Sequence, residues 1–162
     1  MKSRIERVVH LEKMYPDVVI PIYKHQDDSG VDIRAYFNED FKAKIGAKSL
    51  SILPNCRCLI PTGIKVAIQH PGYEIQVRPR SGMALKSGLT VLNTPGTIDA
   101  GYRGEIGIIV YNSSDSDQCV IKHGDRIAQL VLTPIFKIDW NIVDSVDQTD
   151  RNKDGFGSTG IE

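Results

Sequence analysis

The sequence predicts an all-β fold, a sandwich or a barrel, and three observations carry that expectation. Short runs of β-branched and apolar residues, about ten of them and roughly 4–8 residues each, recur along the chain at the spacing of such folds. Proline, glycine, asparagine and aspartate punctuate the runs. No long stretch between them repeats with the 3.6-residue period of a helix.

The chain of 162 residues fits one domain and is long enough to bury a core without disulfides or metals. SRIERVVHLEKM (3–14) places Ser3 and Glu6 at capping-box spacing, yet Val8–Leu11 also reads as a short strand before Tyr15-Pro16-Asp17; strand is the expectation. The predicted strands then follow in VVIPIY, GVDIRAY, SLSIL, RCLIP, IKVAI, YEIQVRP, LTVLN, EIGIIVYN, CVIKH and RIAQLVLTPI. Pro16, Pro21, Pro54, Pro61, Pro71, Pro79, Pro95 and Pro134 are expected at strand ends or edges, where a missing N–H is tolerated. PTGI (61–64) reads as a turn between strands, and SGMALK after Arg80 as a short helical turn. Asn93 to Asn112, NTPGTIDAGYRGEIGIIVYN, reads as a glycine-bearing hairpin whose tip carries Asp99 and Tyr102. After Trp140 the β pattern fades, and the end of the chain, RNKDGFGSTGIE, is too rich in glycine for a core element.

Composition narrows the function. Charged residues, 25% of the chain, divide into 20 basic and 20 acidic, so no global field recruits nucleic acid or an anionic membrane. A bound polyanion must be small and held by local groups. Three cysteines, an odd number, argue against a disulfide framework and for a reducing, cytoplasmic compartment. Cys56 and Cys58 are expected as buried thiols on one strand face, since no further ligands with metal-site spacing accompany them. No apolar run approaches the ~18 residues of a membrane span.

Several clusters carry usable chemistry. Asp32 lies in a strand whose neighbours Val31 and Ile33 face the other way; it suits a hydrated cation as well as it suits solvent. Arg80, Ser81 and Gly82 combine a guanidinium, a hydroxyl and successive N–H groups at a strand end, an anion site or a solvated basic turn. Gln129 shares a strand face with Ile127 and Val131, so its amide needs partners that a phosphate can supply. Near the C-terminus, Phe156, Ser158 and Thr159 stand among glycines, with Arg151 upstream. That is the equipment of a lid for a flat base and a phosphate, though composition alone also suits a tail.

Taken in order, SGVDIRA, PRSGMALKSGL, LNTPGTIDAGYRGEIGIIVYN, GDRIAQLVL and RNKDGFGSTG resemble the five motifs of the trimeric deoxyuridine triphosphatase family. The resemblance spans nearly the whole chain after about residue 8, and five motifs in order are specific. It implies a β-clip or jelly-roll barrel over residues 1–143 and a flexible C-terminal arm over 144–162. It also implies a homotrimer with shared sites, Mg²⁺, and hydrolysis of dUTP to dUMP and pyrophosphate.

Carried over by residue, the resemblance makes Asp99 the base for the attacking water. It implies that Tyr102 lies against the deoxyribose and excludes a 2′-hydroxyl. Asn93, Gly96, Thr97 and Ile98 read the uracil, and Arg80, Ser81, Gly82 and Gln129 hold the phosphates. By the same resemblance Asp32 is expected to hold hydrated magnesium through water. From the arm, Phe156 stacks on uracil beside Gly157, while Arg151, Ser158 and Thr159 bind the γ-phosphate. Departures from the family pattern are Gly101, where an acidic residue is common, and Asp154, where a glycine is common and a charge weakens arm closure. The segment 38–55 is longer than usual and is expected as a loop or hairpin away from the site. Two other functions compete. A dCTP deaminase would need a glutamate ten residues after Asp99, where Ile109 stands. A nucleotide-sensing regulatory module would look the same in sequence but would not turn substrate over.

Overall fold

The structure is a computed structural model that describes residues 7–150 and 152–153. Among them are ten strands and two short helices. β1 (Val9–Lys13), β4 (Arg57–Ile68), β8 (Glu105–Asn112) and β6 (Leu89–Val91) form one sheet in the order β1-β4-β8-β6. A second sheet runs β2-β10-β5-β7, from β2 (Val31–Arg34), β10 (Arg126–Pro134), β5 (Tyr73–Arg78) and β7 (Gly96–Ile98). β3 (Ser49–Ile52) and β9 (Cys119–Lys122) pair on their own. All pairings are antiparallel, and strands distant in sequence lie side by side, giving the jelly-roll-like all-β fold.

Alternation does the packing. In β8, Ile106, Ile108, Val110 and Asn112 point inward and the residues between them are half-buried. They meet Ile33, Ile60, Val77, Val91 and Ile121 in a single core. Asn112 is fully buried, and its amide is satisfied by Ile52 O at 3.0 Å, Asp117 O at 2.8 Å and the Ser114 N–H at 3.0 Å. No described helix is long and apolar enough to cross a membrane.

Several expectations are corrected. VVIPIY is not a strand: Pro21 lacks a ladder donor, and of its apolar side chains only Val18 is buried, while Val19, Ile20, Ile22 and Tyr23 lie exposed. PTGI is no turn between strands but a register shift inside β4, between Pro61 and Lys65, with Gly63 at φ 69°. Pro61 therefore sits within a strand, at the irregularity. The segment 38–55 holds a helix, α1 (Glu39–Ile45), followed by β3. Asn38 accepts the Phe41 N–H at 2.7 Å and Gly46 closes the helix in the left-handed region, so caps decide an element that periodicity missed. The short helical turn expected after Arg80 is present as α2 (Ser81–Ser87), ended by Gly88. Cys56 lies exposed ahead of β4 rather than buried on its face, and all three thiols are free.

Candidate active site

The stretch 93–112 is not a hairpin. β7 pairs with β5 in one sheet, whereas β8 pairs with β4 and β6 in the other, so residues 99–104 cross between sheets. The physical reason is partner choice: the three-residue β7 finds its ladder on β5, and the long apolar β8 is buried between two strands. The crossover opens a cleft of about 220 Å³. Asn93, Gly96, Thr97, Ile98, Asp99 and Tyr102, all predicted, line it together. Glu105, Gly107 and Ile109, together with the core residues Val77, Val91 and Ile108, complete the lining. Apart from Ile109, weighed above only as the deaminase position, these were missed because they read as ordinary strand positions; the signal was Gly107, a glycine in the middle of a strand pattern.

The crossover is tightly bonded. Asp99 O accepts the Tyr102 N–H at 3.0 Å, and Arg103 Nη1 donates to Ala100 O and Tyr102 O, each at 2.7 Å. The Tyr102 hydroxyl donates to Glu105 O at 2.9 Å. Asp99 projects an exposed carboxylate at the mouth, and Tyr102 leaves 44% of its surface open to whatever binds there. A Cβ at Gly96 would stand 3.2 Å from both Asn93 Nδ2 and Val77 Cβ, so the glycine is what lets Asn93 approach the β7 backbone.

The second cluster sits at the far end of the β5–β10 ladder. Asp32 is the register partner of Gln129, and Gln129 also faces Arg78. Arg80 Nε donates to Asp32 Oδ1 at 2.9 Å and Arg126 Nη1 to Asp32 Oδ2 at 3.0 Å. Arg80 Nη1 reaches Arg126 O at 3.1 Å. Two guanidinium groups around one carboxylate leave a local net positive charge on a chain neutral overall, the charge an anion would need. Arg126 was overlooked within GDRIAQL, although an arginine three residues before Gln129 was the available signal. Gln129 finds its partner inside the chain, donating to Pro79 O at 2.9 Å; its second amide hydrogen remains for a ligand. Ser81 and Gly82 open α2, ahead of its first intrahelical N–H donors.

Asp99 and Arg80 stand at opposite ends of β5 within one chain. Ile98 is opposite Ile75, Asp99 continues away from it, and Arg80 lies beyond Arg78 at the other end of β5. At ~3.3 Å per residue the separation is on the order of 15–20 Å. Arg151, Phe156, Gly157, Ser158 and Thr159, with Asp154, fall outside the described residues.

No group of three metal-ligating side chains occurs among the described residues. Asp32 nevertheless fits an outer-sphere role. Both oxygens of this half-buried carboxylate are bonded to arginines, so only their remaining lone pairs could reach a cation, and only through the water shell of one whose direct ligands are phosphates.

Residues 17–160 match the family model described as dUTPase. The chain belongs to the dUTPase family. It is 47% identical over 152 residues to the deoxyuridine 5′-triphosphate nucleotidohydrolase of Picosynechococcus sp., covering 94% of this chain and 98% of that protein. The Ehrlichia canis protein of the same name is 43% identical over 164 residues, covering 99% and 100%. Among solved structures, a Staphylococcus bacteriophage 80alpha dUTPase mutant with dUpNHpp superposes with a TM-score of 0.76 at 25% identity, covering 95% of this chain and 99% of that one. A phage phi11 dUTPase from S. aureus, described with a coordinated structural Mg(II) ion, shares the fold at a TM-score of 0.70 and 24% identity, covering 87% and 99%.

Proposed function

We propose that this protein is a dUTP diphosphatase, hydrolysing dUTP to dUMP and pyrophosphate by attack of water on the α-phosphorus. Such an activity limits uracil in DNA and supplies dUMP for dTMP synthesis. The observation that carries the reading is the inter-sheet crossover, which presents Asp99 and Tyr102 at one cleft with the uracil-reading backbone of β7. Family membership supports the substrate, and the dUTP analogue bound by the phage 80alpha relative agrees with it.

Each residue has a task that its chemistry suits. Gly96, Thr97 and Ile98 offer backbone N–H and C=O groups to the uracil edge, with Asn93 alongside, and in this proposal their closure around the base rejects a 5-methyl group. Tyr102 packs against the deoxyribose and leaves no space for a 2′-hydroxyl. Asp99 orients and deprotonates the water; little other covalent chemistry is asked of the protein in phosphoryl transfer. Arg80, Ser81, Gly82 and Gln129 hold the phosphate chain, Arg80 with its unpaired guanidinium donors. Mg²⁺, held through water by Asp32, supplies neutralisation of the phosphate charge.

The working unit in this proposal is a homotrimer with shared sites. Asp99 and the Arg80 cluster are too far apart in one chain for one nucleotide, so a second copy must bring them together. After β10, Phe136 (96% exposed), Ile138 (71%), Trp140 (80%) and Ile142 (94%) alternate with polar residues, the pattern of a strand face awaiting a partner. We assign residues 1–143 to the core and 144–162 to an arm whose Phe156, Gly157, Arg151, Ser158 and Thr159 close over uracil and γ-phosphate. Free thiols agree with a cytoplasmic location. Deamination of dCTP is disfavoured because Ile109 lines the cleft where a proton-moving glutamate would be needed.

The test is turnover of purified protein with Mg²⁺ on dUTP, dCTP, dTTP and UTP separately, following pyrophosphate and base identity. Pyrophosphate from dUTP alone is expected. Uracil products from dCTP, or tight dUTP binding without turnover, would refute the assignment.

A further inference from the structure

Glu105 is a residue to which the proposed chemistry gives no part, yet its side chain lines the cleft and is doubly hydrogen-bonded. Its Oε1 accepts two main-chain donors from the β4 irregularity, the Gly63 N–H at 2.7 Å and the Thr62 N–H at 3.0 Å. Its own carbonyl accepts the Tyr102 hydroxyl at 2.9 Å. One residue therefore ties a fixed point of the scaffold to the ring at the mouth of the cleft.

The fixed point is firm on independent grounds. Thr62 is 2% exposed, and its hydroxyl donates to Ile106 O at 2.6 Å. Gly63 O accepts the Met14 N–H at 2.9 Å, and Gly63 adopts φ 69° with Val18 and Tyr36 packed where a side chain would stand. At the other end, the Tyr102 phenol lies over Gly104, where any Cβ would overlap it, so the glycine is what allows the hydroxyl to reach Glu105 O.

We infer that Glu105 is a positioning residue for Tyr102, and that the path from the β4 irregularity through Glu105 to the phenol sets how strictly a ribose is distinguished from a deoxyribose. The inference rests on the proposed role of Tyr102 against the sugar. Exclusion of one hydroxyl by a ring requires the ring not to yield. An aromatic side chain with 44% of its surface exposed has little packing to hold it, so the hydroxyl bond supplies the restraint. The substrate lacks the 2′-hydroxyl and does not press on the ring, so loosening the restraint chiefly helps the competitor.

The experiment measures kcat/KM for dUTP and for UTP in Glu105→Ala, Glu105→Gln, Tyr102→Phe and Tyr102→Ala, with thermal melting of each. Glu105→Ala and Tyr102→Phe should each lower the dUTP:UTP ratio about tenfold, mainly by lowering KM for UTP. Combining those two should add little, because they cut the same path. Glu105→Gln keeps an acceptor oxygen and should retain the ratio within threefold. Tyr102→Ala should collapse the ratio; an unchanged ratio there would refute the role of Tyr102 and with it the inference. A collapsed ratio in Tyr102→Ala with an unchanged one in Tyr102→Phe would overturn the inference and leave the role of Tyr102 standing. That decision does not depend on whether Glu105→Ala folds. Equal losses on both nucleotides in a folded Glu105→Ala would also overturn it.

Discussion

Replacing Asp99 by asparagine separates chemistry from architecture at this site. The side chain is exposed at the cleft mouth, and the local bond it anchors, Tyr102 N–H to Asp99 O at 3.0 Å, belongs to the main chain and survives the change. Stability should therefore move by no more than about 0.5 kcal/mol, the range for an exposed substitution. An amide cannot take the proton from water. A positioned base contributes about 10²–10⁴ in rate, which at 1.36 kcal/mol per tenfold is about 2.7–5.4 kcal/mol of barrier. Pyrophosphate release under saturating dUTP should fall by that factor, while calorimetric affinity for a non-hydrolysable dUTP analogue stays within about threefold. A turnover within tenfold of the parent would remove Asp99 from the role of base. Equal loss of turnover and binding would make it a ligand-binding group instead.

Two further predictions concern the scaffold. Asn112→Ala strands the buried Ile52 carbonyl together with Asp117 O and the Ser114 N–H, and should cost about 3 kcal/mol in urea unfolding; a cost below about 1 kcal/mol would show that water or rearrangement satisfies them. Tyr36 donates to Asp17 at 2.6 Å, and that bond, with burial, pushes its phenol from 10.0 up to about 12. Because the raised value favours the protonated form in the folded state, this contribution is intact below pH 10 and is lost as pH climbs from 10 towards 12. Ultraviolet titration should resolve one late tyrosine that disappears in Tyr36→Phe, and an unchanged titration curve would refute the assignment.

What was legible in the sequence follows from what is local. Period-2 alternation in EIGIIVYN and CVIK appears in the structure as the burial of β8 and β9, because a pleated strand with one face in the core dictates inward residues by spacing alone. Turn residues located most strand ends for the same reason. The motifs named half of the residues lining the cleft, Asp99 and Tyr102 among them, since side-chain chemistry is written in residue identity. VVIPIY misled because β-branched residues signal a strand only where an edge is available, and none takes this segment. α1 escaped because a seven-residue helix has too few turns for a period, and its caps decide it.

Tertiary structure decided what depends on partners far away in the chain. Whether 93–112 folds back on itself or crosses between sheets depends on the competing ladders of β5 and β4, which no local pattern contains. The pairing of Asp32 with Arg80 and Arg126, 48 and 94 residues away, arises from strand register. So does the tie from Thr62 and Gly63 through Glu105 to Tyr102, across 43 and 42 residues. Sequence determined which chemical groups this protein owns and the alternation that buries its core. The non-local antiparallel ladders, each closing a long loop against chain entropy, determined which of those groups face one another.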